Sequence, residues 1–303
     1  MTLVSEATER LAAALGGGEA ARLAAEALVE AEALGLPRFG FDMLDEWQPG
    51  QSAPEAGGTR AVDWRDCSDK FSPIGVAAAV LDLARTAREF GIAAVFLRGV
   101  KGFGRLAPFV RHLADQDLLA IAGAEGPPFV APYGGNRPVI GTNPIALGFG
   151  RGEGRIVIDT ATSTATMADV KNARMKGKPL KDGVAIDADG RSTTVAADVA
   201  ALLPRGGQIG SLVGLIVEVL AGVASEGRGD PNGRGVFFIA IDAGRIGDPE
   251  SLLGELRRDW TGAGGYWPRG GDVSPDTELD DSVLERLETQ LARMAASTQG
   301  EDK

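Results

Sequence analysis

The chain has a single histidine, His112, and a single cysteine, Cys67. That inventory argues against a His-rich metal site and any mechanism needing two imidazoles, and no Ser-His-Asp or Cys-His set can be assembled except around His112. His112 lies in the helical run PFVRHLADQD and reads as an ordinary helix residue. Cys67, in DWRDCSDK, has three nearby acids that oppose thiolate formation, so a cysteine nucleophile is not expected. No G-x-S-x-G is present. Residues 171–181 hold Lys171, Arg174, Lys176, Lys178 and Lys181 with no acid among them. Such a basic island could hold a phosphate or a carboxylate, or be a solvated face. Gly102-Phe103-Gly104-Arg105-Leu106-Ala107 fits a G-x-G-x-x-A pattern, with Glu125 about 20 residues on, as in a dinucleotide loop. Pro108 stands where the crossover helix should already be running, so a Gly-rich turn is the better reading. Asp187-Ala188-Asp189-Gly190 begins like a calcium loop but lacks the later ligands, and reads as a tight turn.

These residues must be held by a framework of ordinary composition. Of 303 residues, 44% are hydrophobic and 24% charged, so whole-chain disorder, collagen and coiled coil are excluded. The length has room for about two domains. The net charge of −11 argues against nucleic acid or an anionic membrane as partner. No apolar run reaches the roughly 18 residues that span a bilayer, and no signal peptide is visible at MTLVSEATER. With one cysteine, a cytoplasmic location is expected.

Helical periodicity predicts helices over 5–15 and 19–35, and a further one carrying the stripe Val76, Val80, Leu83, Ala87 and Phe90, closed by Gly91. Residues 48–60 read as a linker. Strands are expected at 92–97, 117–122, 145–149, 155–159 and 235–242, and helices at 105–115, 164–174, 212–223, 248–260 and 282–296. The mixed order points to α/β or α+β architecture without a clean βαβ series.

Several segments, in order, resemble the malate/L-lactate dehydrogenase family, which is distinct from the Rossmann-type lactate and malate dehydrogenases. They are GTNPIALGF (141–149), IDTATS (158–163), NARMKGKPLKDGVAIDADGRSTT (172–194), LLPRGGQIGSLVGLIVEVLAG (202–222), FFIAID (237–242) and YWPRGGD (266–272), after ARLAAEALVEAEALGLPRFG (21–40). The resemblance implies a non-Rossmann fold of two parts. A mixed-sheet nucleotide- and substrate-binding domain would span 61–244, and a helical domain would form from both chain ends, 1–60 and 245–303. It also implies hydride transfer between NADH or NADPH and a small-molecule substrate, and a homodimer. The cofactor would be lined by Phe103, Gly104, Thr142, Asn143, Asp159, Thr160, Thr162, Ser163, Thr164, Gly210, Pro268, Arg269 and Gly270. Short hydroxyls and backbone N–H groups at a helix start suit phosphate oxygens. The basic cluster favours NADPH, through its 2′-phosphate.

The same resemblance implies changes at the reacting centre. The family's Ser-His-Gly falls on Arg38-Phe39-Gly40, its arginine on Met43, its second histidine on Gly102 and a lysine on Ile209. The acid at Asp187 is kept. Ketone reduction makes an alkoxide that needs a proton donor, contributing roughly 10²–10⁴-fold. An iminium arrives already protonated and needs only a carboxylate nearby. The expected catalytic set is therefore Asp187 beside the iminium, with Arg38 or Lys101 clamping a substrate carboxylate. An NAD(P)H-dependent reductase of an imine, enamine or 2-oxo acid-like substrate is expected. The alternative is a redox-inactive relative that binds a partner or catalyses non-redox chemistry.

Overall fold

A computed structural model of the chain describes residues 2–51, 60–230, 233–245 and 247–300. Most of the predicted linker 48–60 falls outside the described residues. A six-stranded mixed sheet runs in the order β1-β2-β8-β3-β4-β5. Its strands are β1 (Val62–Asp66), β2 (Ile92–Val100), β3 (Leu118–Ala124), β4 (Ile145–Phe149), β5 (Ile156–Thr160) and β8 (Arg234–Asp242). Only the edge pair β1–β2 is parallel. β8 lies antiparallel between β2 and β3, and β4 and β5 continue the antiparallel run. β8 is buried because Val236, Phe237, Phe238 and Ala240 are covered on both faces.

One face of the sheet carries α3 (Ser72–Phe90) and α4 (Ala107–Ala114). α3 starts with proline in its first turn and ends at Gly91, whose φ of 86° takes the left-handed conformation of a helix C-cap. Over these helices lie α1 (Val4–Ala14) and α2 (Gly18–Ala33), joined by α8 (Asp281–Gly300) from the other chain end. α2 is alanine-rich, and Ala24, Ala27, Leu28 and Ala31 are fully buried. Leu11, Leu28, Phe109, Phe238 and Leu287 belong to one continuous apolar core, so the terminal helices and the sheet share a single interior. Phe109 meets Phe238 edge-on at 6.1 Å between ring centroids.

The segment after β5 builds a smaller unit. α5 (Met167–Met175) packs with the two-stranded ribbon of β6 (Ala185–Ile186) and β7 (Ala201–Leu202) around Val130, Ile140, Val170, Ala185 and Leu202. α6 (Gln208–Val217) follows and runs on as a π-helical turn over Glu218–Val223. α7 (Pro249–Gly262) is capped by Asp248, whose carboxylate accepts from the Ser251 N–H at 3.3 Å.

α4 sits directly on β4. A Cβ placed on Gly148 would lie 2.3 Å from the Val110 carbonyl oxygen, so only glycine lets the helix approach. Gly148→Ala is expected to lower stability by roughly 1–3 kcal/mol, the usual cost of forcing extra volume into a packed core. Urea unfolding should show a lower midpoint at an unchanged slope. An unchanged midpoint would mean that the helix does not rest on this strand.

Candidate active site

A cavity of about 470 Å³ opens along one edge of the sheet, where five strands present their ends. Lys101 and Gly102 follow β2, Arg234 begins β8, and Glu125 to Pro127 follow β3. Thr142 and Pro144 precede β4, while Asp159, Thr160 and Ala161 close β5. The far wall is the turn Leu36–Met43 and the segment Phe103–Leu106.

Both wall segments are fixed by buried charge. Glu30 of α2, 5% exposed, accepts from Arg105 at 3.1 Å and also binds Arg111 of α4. Burial pushes the Glu30 carboxyl above its usual range, and the two guanidinium groups oppose the shift. The second Arg105 arm donates to the Gly270 carbonyl at 2.6 Å. Glu32, also in α2, accepts from the Phe41 N–H at 2.6 Å and from Arg286 of α8 at 3.1 Å. The 101–106 segment is anchored at its start by the Lys101 N–H, which donates to Ser72 Oγ at 2.9 Å.

Phe39, Met43 and Gly102 stand on this one wall. A Cβ on Gly102 would be 2.7 Å from Met43 Sδ, so the thioether occupies the space that a side chain at 102 would need. Three positions set apart by the sequence resemblance thus converge, and they present apolar surface to the cavity. His112 lies elsewhere, in a groove with Glu19, Leu81 and Gln116; its Nε2 is 2.9 Å from the Gln116 amide nitrogen. Burial lowers its pKa. Cys67 is fully buried, and desolvation pushes its thiol up to about 12, so it supplies no thiolate.

Asp159 performs a structural task at the cavity floor. Its Oδ2 accepts from the Ala107 N–H at 2.9 Å, holding the first turn of α4. Burial raises its pKa, against the pull of the Ala107 and Leu106 N–H groups and Arg105. Glu125 is 6% exposed and also raised, chiefly by burial; Gly235 N–H, Arg234 and Arg228 oppose this, and Asp230 adds to it.

Of the residues expected from sequence, Arg38, Lys101, Phe103, Gly104, Thr142, Asp159 and Thr160 line the cavity. The others do not. Asp187 is turned into its own β-turn, where Oδ1 accepts from the Asp189 and Arg191 N–H groups, each at 2.9 Å. The structure therefore does not bring Asp187 together with Arg38 and Lys101. Thr162 Oγ1 donates to the Thr142 and Asn143 carbonyls, Ser163 Oγ to Ala165 and Thr164 Oγ1 to Leu203 and Val184. Those hydroxyls close the loop on itself, so their protons are not offered to a phosphate. Asn143 is fully buried, with its amide donating to Gly214 and Glu218. Gly210 abuts the Arg205 carbonyl. The Pro268–Gly270 turn is docked beside β5, where the Val157 N–H donates to Pro268 at 3.0 Å. Arg269 pairs with Glu153 at 3.4 Å.

The helix expected at 164–174 begins at Met167, and the sequence reading did not name the residues of its start that meet the cavity. Thr166, Met167 and Ala168 at the N-terminus of α5 line the cavity with Lys171. Thr166 and Asp169 form a capping box. A helix N-terminus with a lysine one turn in fits an anionic group. Thr142 and Thr160 add hydroxyls at the same rim. Arg234 was missed too; its only signal was a base directly before the buried run GVFFIAID.

A mixed sheet without a doubly wound order, covered by helices from both chain ends and carrying its cavity at the strand ends, defines a non-Rossmann α/β class. The chain belongs to the malate/L-lactate dehydrogenase family, whose model matches residues 2–259. It is similar to a Δ1-pyrroline-2-carboxylate/Δ1-piperideine-2-carboxylate reductase of Pseudomonas syringae pv. tomato, 35% identical over 198 residues, 64% of this chain and 58% of the relative. The chain thus spans less than two thirds of the length of that curated relative. It is 32% identical over 253 residues to a (2R)-3-sulfolactate dehydrogenase (NADP(+)) of Chromohalobacter salexigens, covering 75% of each chain. The crystal structure of Δ1-piperideine-2-carboxylate reductase from the same Pseudomonas superposes with a TM-score of 0.81, at 27% identity, over 96% of this chain and all of that one.

The Asp159 environment makes a pH prediction. A carboxyl whose folded pKa is raised above 3.8 favours the protonated fold, so its ionisation costs stability as pH rises from 3.8 through the folded value. Asp159→Asn keeps an oxygen to accept from Ala107 and removes the charge. The variant should gain stability relative to the unmodified protein across that window, with a constant difference above it. Urea midpoints from pH 3.5 to 7.5 test this; a relative loss for the variant with rising pH would reverse the sign.

Proposed function

We propose that the chain is an NAD(P)H-dependent reductase of a small substrate that carries a carboxylate beside a C=N bond, in preference to simple 2-oxo acids. The observation that carries this reading is the cavity itself. It gathers the cations Arg38, Lys101 and Arg234 with a carboxylate at Glu125, and no imidazole lines it. The apolar wall of Phe39 and Met43 provides no proton donor for an alkoxide. An imine can be protonated before it binds, so hydride addition to its carbon leaves a neutral amine and needs no acid in the site. The names of the relatives, reductases of cyclic imino acids and a sulfolactate dehydrogenase, support a substrate with an acidic group.

The residues present fit a nicotinamide dinucleotide. The α5 start with Lys171, together with Thr142 and Thr160, would hold its phosphates, and the Phe103–Gly104 turn would face the nicotinamide. When bound, the reduced nicotinamide supplies the hydride. Lys101 and Arg234, with Arg38 across the cavity, are the cations that orient the substrate carboxylate, and the Phe39–Met43 wall keeps water from the reacting carbon. Lys171 favours NADPH through the additional phosphate.

A homodimer belongs to the same reading. Ile209, Leu212, Ile216, Val219 and Val223 are spaced 3-4-3-4 along α6 and its π-helical extension, and all are exposed, Ile209 by 76%. An apolar seam of that spacing suits a second copy of the same helix.

Titration with NADPH and NADH by fluorescence should give micromolar binding, tighter for NADPH. Turnover with cyclic imino acids should exceed that with pyruvate by at least tenfold. No nucleotide binding below the millimolar range would instead favour the redox-inactive relative, and robust pyruvate reduction would overturn the imine preference.

Light scattering should report about twice 31.3 kDa. Ile216→Glu should shift the protein to a monomer with an unchanged circular dichroism spectrum; a native monomer would remove the dimer from this reading.

A further inference from the structure

We propose that Glu125 is the specificity residue for the substrate's nitrogen, acting beside Arg234 and Lys101, which receive the substrate's carboxylate. The substrate class rests on the reductase reading above; the assignment of Glu125 rests on strand register. β8 lies between β2 and β3. Val100 of β2 pairs with Arg234 of β8, and Ala124 of β3 pairs with Val236. The Glu125 N–H donates to the Gly235 carbonyl at 3.0 Å, and the Gly235 N–H donates to Glu125 Oε1 at 3.2 Å. By this register Glu125 lies opposite Gly235 and Arg234 opposite Val100, so Lys101, Arg234 and Glu125 stand on three neighbouring strand ends, with Arg234 one residue out of step with the other two; the strands are spaced about 4.8 Å apart. All three line the cavity.

The two ends of this row differ in sign. A substrate carrying a carboxylate on the carbon next to its nitrogen has the same pattern: an anion and a cation two bonds apart. A carboxylate as buried as that of Glu125 is costly unless paired. Gly235 N–H engages one of its oxygens and Arg234 and Arg228 are its neighbouring cations, while no further hydrogen bond to the carboxylate is formed among the described residues. An iminium or ammonium N–H arriving in the cavity would supply one. The keto oxygen of a 2-oxo acid would bring a lone pair against the carboxylate instead, which disfavours that substrate. Arg234 is set in place by its own bond from Nη1 to the Asp230 carbonyl at 2.9 Å. Asp187 is confined to its turn and Asp159 is held by the Ala107 N–H at the end of β5, so Glu125 is the acid that lines the cavity at the ends of β2, β8 and β3.

The test separates this assignment from the reductase reading. Calorimetry on the 303-residue chain at pH 7.5 compares L-proline with cyclopentanecarboxylate, which has a five-membered ring and a carboxylate but no nitrogen. Proline should bind at least tenfold more tightly. Glu125→Gln keeps an acceptor for Gly235 N–H but not the charge; its preference should fall below threefold, through weaker proline binding. Glu125→Asp should restore part of it. Equal affinities in the unmodified protein, or an undiminished preference in a folded Glu125→Gln, would overturn the assignment. NADPH binding is measured in the same samples. A nitrogen preference without nucleotide binding would discard the reductase reading and retain Glu125; nucleotide binding without the preference would do the reverse.

Discussion

The Phe103–Leu106 wall of the cavity and the helix behind it depend on burying Glu30. A carboxylate inside a helical layer is costly to desolvate, and it is tolerated only because Arg105 and Arg111 reach it from two different segments. Arg105 belongs to the cavity wall and Arg111 to α4, so one acid in α2 fixes both relative to the N-terminal helices. Moving either segment away would strand a charge in a low-dielectric interior. Arg111 also approaches Asp272, which in turn holds Arg155. The network extends from α2 to the turn after α7, which explains why residues so distant in the chain behave as one wall.

The cavity is otherwise a product of strand direction. In a sheet that is largely antiparallel, a given edge collects strand starts and strand ends alternately. β2, β3 and β5 deliver their last residues there, while β4 and β8 deliver their first. The cations and acid that meet the cavity come from segments up to 196 positions apart, Arg38 and Arg234, and no local motif links them. Local patterns, by contrast, serve the scaffold. The hydroxyls of Thr162, Ser163 and Thr164 satisfy backbone carbonyls, and Asn143 knits α6 to the sheet.

Much of the fold was legible in the sequence. α3 announced itself by its apolar stripe and Gly91, and β8 by an uninterrupted apolar run. β1 was not legible: three of its five residues are charged, and as an edge strand it alternates exposed and half-buried positions without a hydrophobic face. α6 was read as an apolar helix, but its outward seam could not be told from a core-facing one by periodicity. The site was legible only in part. Lys101, Thr142 and Asp159 were reached through resemblance, whereas the bonding of Asp187 within its own turn was not legible, because sequence spacing carries no information about where a turn points. Glu125 was noticed for a pattern that the structure does not form, a helix starting directly at the Gly-rich turn.

The position of β8 bears on how the chain acquires its shape. It is the last strand in sequence and a central one in space. Until residue 242 has left the ribosome, β2 and β3 have no common partner and each presents an open edge. The nascent chain must carry its helices and two unfinished half-sheets through most of its synthesis. Closure is then a single late insertion, bringing strands more than 100 positions away into register and creating the pocket in the same step.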